Sequence, residues 1–330
     1  MAPPGSGLGH GHRMIAVIAS GGVKRIDSRA AEIEPGNVMR WMLLCLCLIV
    51  VATAAAEPVR VTDDTGRVID LPAPAQRIVS LAPHVTELLF AAGAGERIVG
   101  TVSYSDYPHV AEDLPRVGSY KQLDFETILA MEPDLVVAWR SGNVRAQVER
   151  LEQLGFTIYY SEPRELDEIA TAVERLARLA GTVDEGRRRA EAFRAEMRDL
   201  RDNYADLPAV EVFYQIWHQP LMTVNDNHII TRTLELCGGR NAFGHLQSLT
   251  PRLGKEAVLE NDPEVIIASG MGEDRPDWLS DWRAFPNLTA VQRDNLYFVP
   301  PSLLQRHAPR ILQGARQVCE HLQAARAKRP

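Results

Sequence analysis

Between residues 77 and 161 short apolar runs alternate with stretches whose apolar residues recur every three or four positions. RIVSLAP (77–83), IVGTVS (98–103), DLVVAW (134–139) and FTIYYS (156–161) read as strands, and the unbroken apolar run of DLVVAW suits a sheet buried on both faces. HVTELLFAAG (84–93), DFETILAME (124–132) and NVRAQVERLEQLG (143–155) carry the helical period, the first stopping at Gly93. Ahead of them VTDDTGRVIDLP reads as a hairpin that turns at Thr65-Gly66. This alternation builds an α/β lobe around a mainly parallel sheet.

Residues 166–204 change the rhythm. LDEIATAVERLARLAG ends at Gly181, and a second helix starting at Thr182 or Asp184 carries a stripe of Ala190, Phe193, Met197, Leu200 and Tyr204. That stripe is one face of a helix of about 20 residues, or roughly 30 Å, long enough for a rigid connector. A second α/β segment follows, with strands at 211–217, 264–270 and 295–300, helices at 228–239 and 255–262, and a terminal helix from about Arg306. ETILAMEPDLVVAWRSG from Glu126 and EAVLENDPEVIIASGMG from Glu256 repeat one pattern: a helix halted before Pro, an acidic residue, then a buried strand ending in Ala. The repeats flank the long helix. The expected fold class is therefore α/β, with two Rossmann-like lobes (57–181 and 207–330) joined by a connecting helix (182–206). A cleft between such lobes is where a ligand binds.

The chain has 330 residues, and MRWMLLCLCLIVVATAAAE from Met39 has the layout of a secretory signal peptide over 39–56, cleaved after Ala54-Ala55-Ala56. Residues 1–38 show no hydrophobic period and read as an extension, with Met39 as candidate initiator. Without residues 1–56 the formal charge moves from −7 to −9, because five basic and three acidic residues are lost. Such an acidic soluble protein is no partner for nucleic acid. Cys237 and Cys319 remain, and an oxidising compartment favours a disulfide if the fold brings them together; otherwise they are buried thiols.

Nucleophile elbow, P-loop and dinucleotide turn are all missing from the sequence, and the histidines are scattered without metal-ligand spacing, so neither enzyme nor metal site is expected. Aromatic residues stand instead where strands give way to loops: Tyr104, Tyr107, Tyr120, Trp139 and Trp217. Flat rings there suit a broad planar ligand.

RIVSLAPHVTELLFAAG, TVSYSDYP, EPDLVVAWRSGN, LELCGGRN and APRIL together resemble the periplasmic vitamin B12-binding proteins of corrinoid ABC importers, over residues 77–325. The opening motif and the hairpin are shared with the wider iron-siderophore, haem and corrinoid family, whereas SYSDYP and AWRSGN resemble the B12 branch. The resemblance implies a class III periplasmic solute-binding protein, a monomer without resident cofactor or metal, that hands a corrinoid to an inner-membrane permease and ATPase. It implies that Tyr104, Trp139 and Tyr120, the last in place of a Trp, line the cleft. On the second lobe it implies contacts from Ser302, Leu303, Leu304, Gln305 and Arg306, of which only Arg306 is identical. Thr250 replaces an expected aromatic there, so Trp217 or Met222 takes over the apolar contact. The resemblance further implies a Cys237–Cys319 disulfide and permease-docking carboxylates at Glu126 and Glu256. His84 replaces a small residue at the cleft edge, where it is expected to be solvated at the helix start rather than to bind cobalt. A haem or siderophore carrier of the same fold is the alternative.

Overall fold

The computed structural model describes residues 57–270 and 272–330; the expected leader at 39–56 and the extension before it lie outside the described residues. The described chain opens with an antiparallel hairpin of β1 (Val59–Thr62) and β2 (Val68–Leu71). Asp63 holds its turn by accepting from the amides of Thr65 and Arg67 at 2.9 and 3.0 Å, while Gly66 takes the left-handed φ of +83° that the turn requires.

The first lobe continues through β3 (Ile78–Ser80), α1 (Pro83–Ala91), β4 (Ile98–Gly100), a ribbon of β5 (Gly118–Ser119) and β6 (Gln122–Leu123), α2 (Phe125–Ala130), β7 (Leu135–Trp139), α3 (Arg145–Gln153) and β8 (Ile158–Ser161). Its parallel sheet runs in the order β4-β3-β7-β8. All of β3 and Leu135 to Ala138 of β7 are buried, as strands covered on both faces must be.

Two helices leave the lobe. A reciprocal capping box of Glu165 and Glu168 starts α4 (Leu166–Ala180), and Gly181 at φ +68° ends it. Then α5 (Val183–Tyr204) runs for 22 residues with Ala190, Phe193, Met197 and Leu200 buried, the stripe expected from their spacing. At Gly186 the two helices come so close that a Cβ would stand 2.2 Å from that of Ala177. The stripe belongs to one continuous apolar cluster that includes Leu88 and Ile169 on the first-lobe side and Val212, Tyr214 and Val318 on the other. With one face buried from Gly186 to Leu200, α5 is a spine rather than a hinge.

The second lobe comprises β9 (Val210–Gln215), α6 (Ile229–Leu236), β10 (Gly239–Asn241), α7 (Lys255–Asn261), β11 (Val265–Ala268), α8 (Thr289–Gln292), β12 (Leu296–Phe298), α9 (Pro301–Leu304) and α10 (Ile311–Ala327). Its parallel sheet has the order β10-β9-β11-β12, the same winding as the first. The architecture is α/β, with two Rossmann-like lobes on one long helix, as the alternating pattern predicts. A disulfide joins Cys237, at the end of α6, to Cys319 in α10.

The two repeats share a backbone device. Glu132 and Asp262, each just before a proline, lie at φ +44° and +48°. A residue before proline is disfavoured in the right-handed helical region, so the chain leaves α2 and α7 through the left-handed one. Asp134 then accepts from the amides of Gln76 and Arg77 at 2.7 and 3.0 Å, tying the starts of β3 and β7 together. In the second lobe Asp262 itself accepts from the amide and hydroxyl of Thr289, both at 2.7 Å.

Several strands end two or three residues before their expected bounds, those at 77–83 and 98–103 at Ser80 and Gly100, and two helix boundaries differ for a physical reason. The terminal helix begins at Ile311 rather than near Arg306, because Pro309 disfavours helical backbone at Ala308 and separates it from the single turn of α9. The helix expected over 228–239 stops at Leu236; Gly238 takes φ +69° and Gly239–Asn241 becomes the edge strand β10, a tripeptide with little strand propensity of its own. Among the described residues no helix is long and apolar enough to cross a membrane.

Candidate ligand-binding site

In an open parallel sheet the strand connections diverge at a switch point, and ligands sit beyond the carboxyl ends of the strands there. In the first lobe this point lies between β3 and β7. The connection after β3 enters α1 at His84, and β7 ends in Trp139, whose ring meets that of His84 edge to face at 5.1 Å. Tyr120, on the turn between β5 and β6, lies 6.1 Å from Trp139.

Asn143 fixes this group. Its side-chain carbonyl accepts from the Trp139 amide at 2.7 Å, and its amide donates to the carbonyls of Leu81 and Tyr120 at 2.8 and 3.0 Å. One buried amide therefore ties together the three segments that carry His84, Tyr120 and Trp139. Gly142 makes room for the indole, since a Cβ there would fall 1.9 Å from a Trp139 ring carbon. Tyr104 stands apart at 74% exposure, with the backbone at φ +67°. A tyrosine held in the left-handed region needs outside support, and conformations of this kind concentrate at functional sites.

The second lobe brings two further histidines against the first. His307 lies 5.8 Å from His84 and His228 lies 5.6 Å from His307, ring centre to ring centre. His228 also caps α6, its Nδ1 accepting from the Ile230 amide at 3.2 Å. Burial lowers all three: His84 well below the usual imidazole range, with the charges of His307 and Arg306 adding to the effect, His228 to about 3 and His307 to about 4. The three rings are neutral at neutral pH. Among the described residues, Nε2 of His84, Nδ1 of His307 and Nε1 of Trp139 are buried without a hydrogen-bond partner, so three neighbouring rings carry orphaned nitrogens where the lobes touch. The expectation of a solvated His84 is therefore corrected: at 3% exposure it is an interlobe packing residue.

Arg306 also departs from its expected place. Its guanidinium crosses to the first lobe, donating to Glu87 Oε1 at 3.0 Å, Asp106 Oδ2 at 3.0 Å and the Tyr104 carbonyl at 3.2 Å. Arg310 donates to both oxygens of the same Glu87 at 2.9 and 2.7 Å and stacks on Tyr107 at 3.9 Å. Glu87, whose side chain is only 2% exposed, thus bridges two arginines across the interface while Asp106 supplies the second negative charge, and Arg306 is what holds the strained Tyr104 loop. Burial would raise the Asp106 carboxyl, but the hydrogen bond and charge of Arg306 outweigh it and leave it lowered.

The rest of the expected second-lobe segment is dispersed. Leu304 is fully buried in the core and presents no surface to a ligand, so it is removed from the contacting set. Leu303 is half-buried against that core, Ser302 donates to Glu273 at 2.7 Å, and Gln305 donates to the Ser269 carbonyl at 2.8 Å. Trp217 is 36% exposed, with Nε1 donating to the Gln219 carbonyl at 2.8 Å. Glu126 and Glu256 are exposed in the first turns of α2 and α7.

Two parallel-sheet lobes on one stiff helix, with ring-bearing loops facing each other, define a helix-linked solute-binding protein. The chain belongs to the periplasmic binding protein family, whose model matches residues 78–303. It is 38% identical over 261 residues to the vitamin B12-binding protein of Vibrio cholerae serotype O1, covering 79% of this chain and 94% of that one. It superposes on the crystal structure of the periplasmic vitamin B12 binding protein BtuF of Vibrio cholerae with a TM-score of 0.71 at 38% identity, covering 77% and 98% of the two chains. The haem-binding protein RhuT of Roseiflexus shares the fold at a TM-score of 0.67 and 23% identity, covering 76% and 99%.

Glu87→Ala is expected to strand the Arg310 guanidinium, leave Arg306 with Asp106 as its one carboxylate and cost about 3–5 kcal/mol. Urea unfolding measures this; a loss below about 1 kcal/mol would show that the cluster does not stabilise the interface. The histidines give a pH dependence of definite sign. Below pH 6.5 the unfolded chain takes up protons that His307 refuses until about pH 4, so stability falls as pH drops through that window and is unaffected above it. The loss from His307 alone is on the order of 3 kcal/mol by pH 4, with His84 and His228 adding to it in the same direction, so His307→Gln should reduce the slope of thermal stability against pH without abolishing it.

Proposed function

We propose that this chain captures a corrinoid of the vitamin B12 type between its lobes and delivers it to an ABC importer. The observation that carries the reading is the 38% identity to a vitamin B12-binding protein over 94% of that protein's length. The local geometry supports it: Trp139 and Tyr120 are half-buried rings pinned by one asparagine, and Tyr104 and Trp217 are exposed rings on opposite lobes. Such faces desolvate against a broad planar ligand without any chemistry on it, so the role is binding rather than catalysis. The corrinoid is cargo, and no cofactor enters the proposal.

The apolar cluster along α5 and the Glu87 ion cluster resist large lobe rotation, so capture proceeds with small motion. The signal peptide read at 39–56 supports a periplasmic location for the mature monomer. Glu126 and Glu256 occupy equivalent first-turn positions in the two repeats, one on each lobe, and this pairing suits docking to a transporter with two equivalent arginine-bearing faces.

Calorimetry of the protein against cyanocobalamin, haem and a ferric hydroxamate siderophore is expected to show saturable one-to-one binding of cyanocobalamin alone. Binding of haem or siderophore in its place would transfer the reading to that ligand class. Glu126→Ala together with Glu256→Ala should leave cyanocobalamin affinity unchanged and abolish stimulation of the reconstituted importer's ATPase. Full stimulation by the double variant would remove these carboxylates from docking.

A further inference from the structure

The chain that leaves β4 carries the SYSDYP motif, and its side chains are held one after another. The Ser103 hydroxyl and amide both donate to the Gly118 carbonyl, at 3.1 and 2.9 Å. The Ser105 hydroxyl is fully buried and accepts from Thr86 at 3.1 Å and Thr101 at 2.8 Å, while Arg116 donates to the Ser105 carbonyl at 3.1 Å. Asp106 accepts from both terminal nitrogens of Arg306, and Tyr107 lies under Arg310. From Ser103 to Tyr107 one side chain is left out, the Tyr104 ring, which is 74% exposed.

The backbone at that ring is a tight turn. The Ser105 amide donates to the Val102 carbonyl at 3.3 Å, and Tyr104, third of the four residues, stands at φ +67°. Turns that need a left-handed third residue normally place glycine there. A tyrosine keeps such a conformation only where its surroundings over-determine it. Two anchorages do so, and they differ in origin. Ser105 is bound within its own lobe by the hydroxyls of α1 and the end of β4, whereas the Tyr104 carbonyl and the Asp106 carboxylate are held by one guanidinium from the other lobe. Arg306 is aimed in turn by Glu87 and Asp106. Glu87 is shared with Arg310 and serves the whole interface, but Asp106, its side chain 49% exposed, pairs with Arg306 alone among the described residues. A half-exposed pair of this kind adds little to global stability, so its effect is confined to the turn it holds.

We propose that Asp106 is a positioning residue for ligand capture: through Arg306 it presets the left-handed Tyr104 turn, and it contributes to affinity by way of that ring. The inference rests on the corrinoid reading above, in which the Tyr104 ring meets the ligand. Asp106 and Arg306 act here without touching the corrinoid, because the terminal nitrogens of the guanidinium are already taken by two carboxylates and a carbonyl. Since that guanidinium belongs to the second lobe, a ring of the first lobe is preset only while the lobes stay docked. A turn that relaxes out of the left-handed region is competent for part of the time, and apparent affinity falls by that fraction.

Two measurements on Asp106→Asn test this. Without ligand, hydrogen exchange of the Ser105 amide should quicken roughly tenfold, while the thermal midpoint stays within about 2 °C of wild type. Unchanged exchange, or a general loss of stability, overturns the proposal. With ligand, calorimetry of cyanocobalamin forms a double-mutant cycle with Tyr104→Gly, which removes both the ring and the strain. Asp106→Asn should weaken binding roughly tenfold in the wild-type background and less than about twofold in the Tyr104→Gly background. Equal losses in both backgrounds, or none in either, overturn the positioning role while the corrinoid reading stands. If wild type binds no cyanocobalamin, the corrinoid reading fails, and the role in capture falls with it whatever the exchange shows.

Discussion

A carboxylate with almost no solvent contact, Glu87, sits between two arginines that come from the other lobe. Removing one carboxylate and two guanidinium groups from water costs several kcal/mol per charge, and only close, multiple hydrogen bonds offset it. Those bonds fix where Arg306 and Arg310 can be, and hence where the chain between α9 and α10 crosses the interface. Arg306 in turn reaches Asp106 and the Tyr104 carbonyl, so the exposed tyrosine and its left-handed backbone depend on the same cluster. His307 follows Arg306 directly and is carried against His84 by it. The ring-bearing surface of the first lobe and the loop of the second are thus positioned by one electrostatic knot.

Around that knot the lobes are variations on one unit. Each has the same strand order, and each leaves its helix through a left-handed residue before proline. Each also places tryptophan at the carboxyl end of the strand that borders its switch point, Trp139 after β7 and Trp217 after β9. They differ in what surrounds the indole. Trp139 is packed with histidines and pinned by Asn143, whereas Trp217 opens onto a hollow that Trp278 completes. Two similar frames with different furnishings are thus held together by one stiff connecting helix.

The legible part of this protein was whatever depends on neighbours in sequence. Period and turn chemistry located β3, β7, β9 and β11, the long stripe of α5, the hairpin at Asp63, and the repeat whose Pro133 and Pro263 end their helices, because each is set within a few residues. The motifs also contained the pinning residues, since Glu87 lies in VTELLF, Asn143 in AWRSGN and Arg310 in APRIL; their roles were hidden because the partners they join across the fold are distant in sequence. Edge strand β10 had no local signal, and it exists because β9 offers an unpaired edge.

What remained for the tertiary structure was every contact between residues far apart along the chain. His84, His228 and His307 show no spacing that links them, yet folding assembles them and, among the described residues, leaves Nε2 of His84 and Nδ1 of His307 without hydrogen-bond partners. Arg306 reads as a ligand-facing cation until the interface shows it already engaged by two carboxylates. Amino-acid order alone thus determined the lobes, the spine between them and the kinds of ring available for binding, through short-range propensity and period. Which side chains meet across the lobes was decided by burial, because a charge or imidazole withdrawn from water takes its partner from whatever the fold brings near.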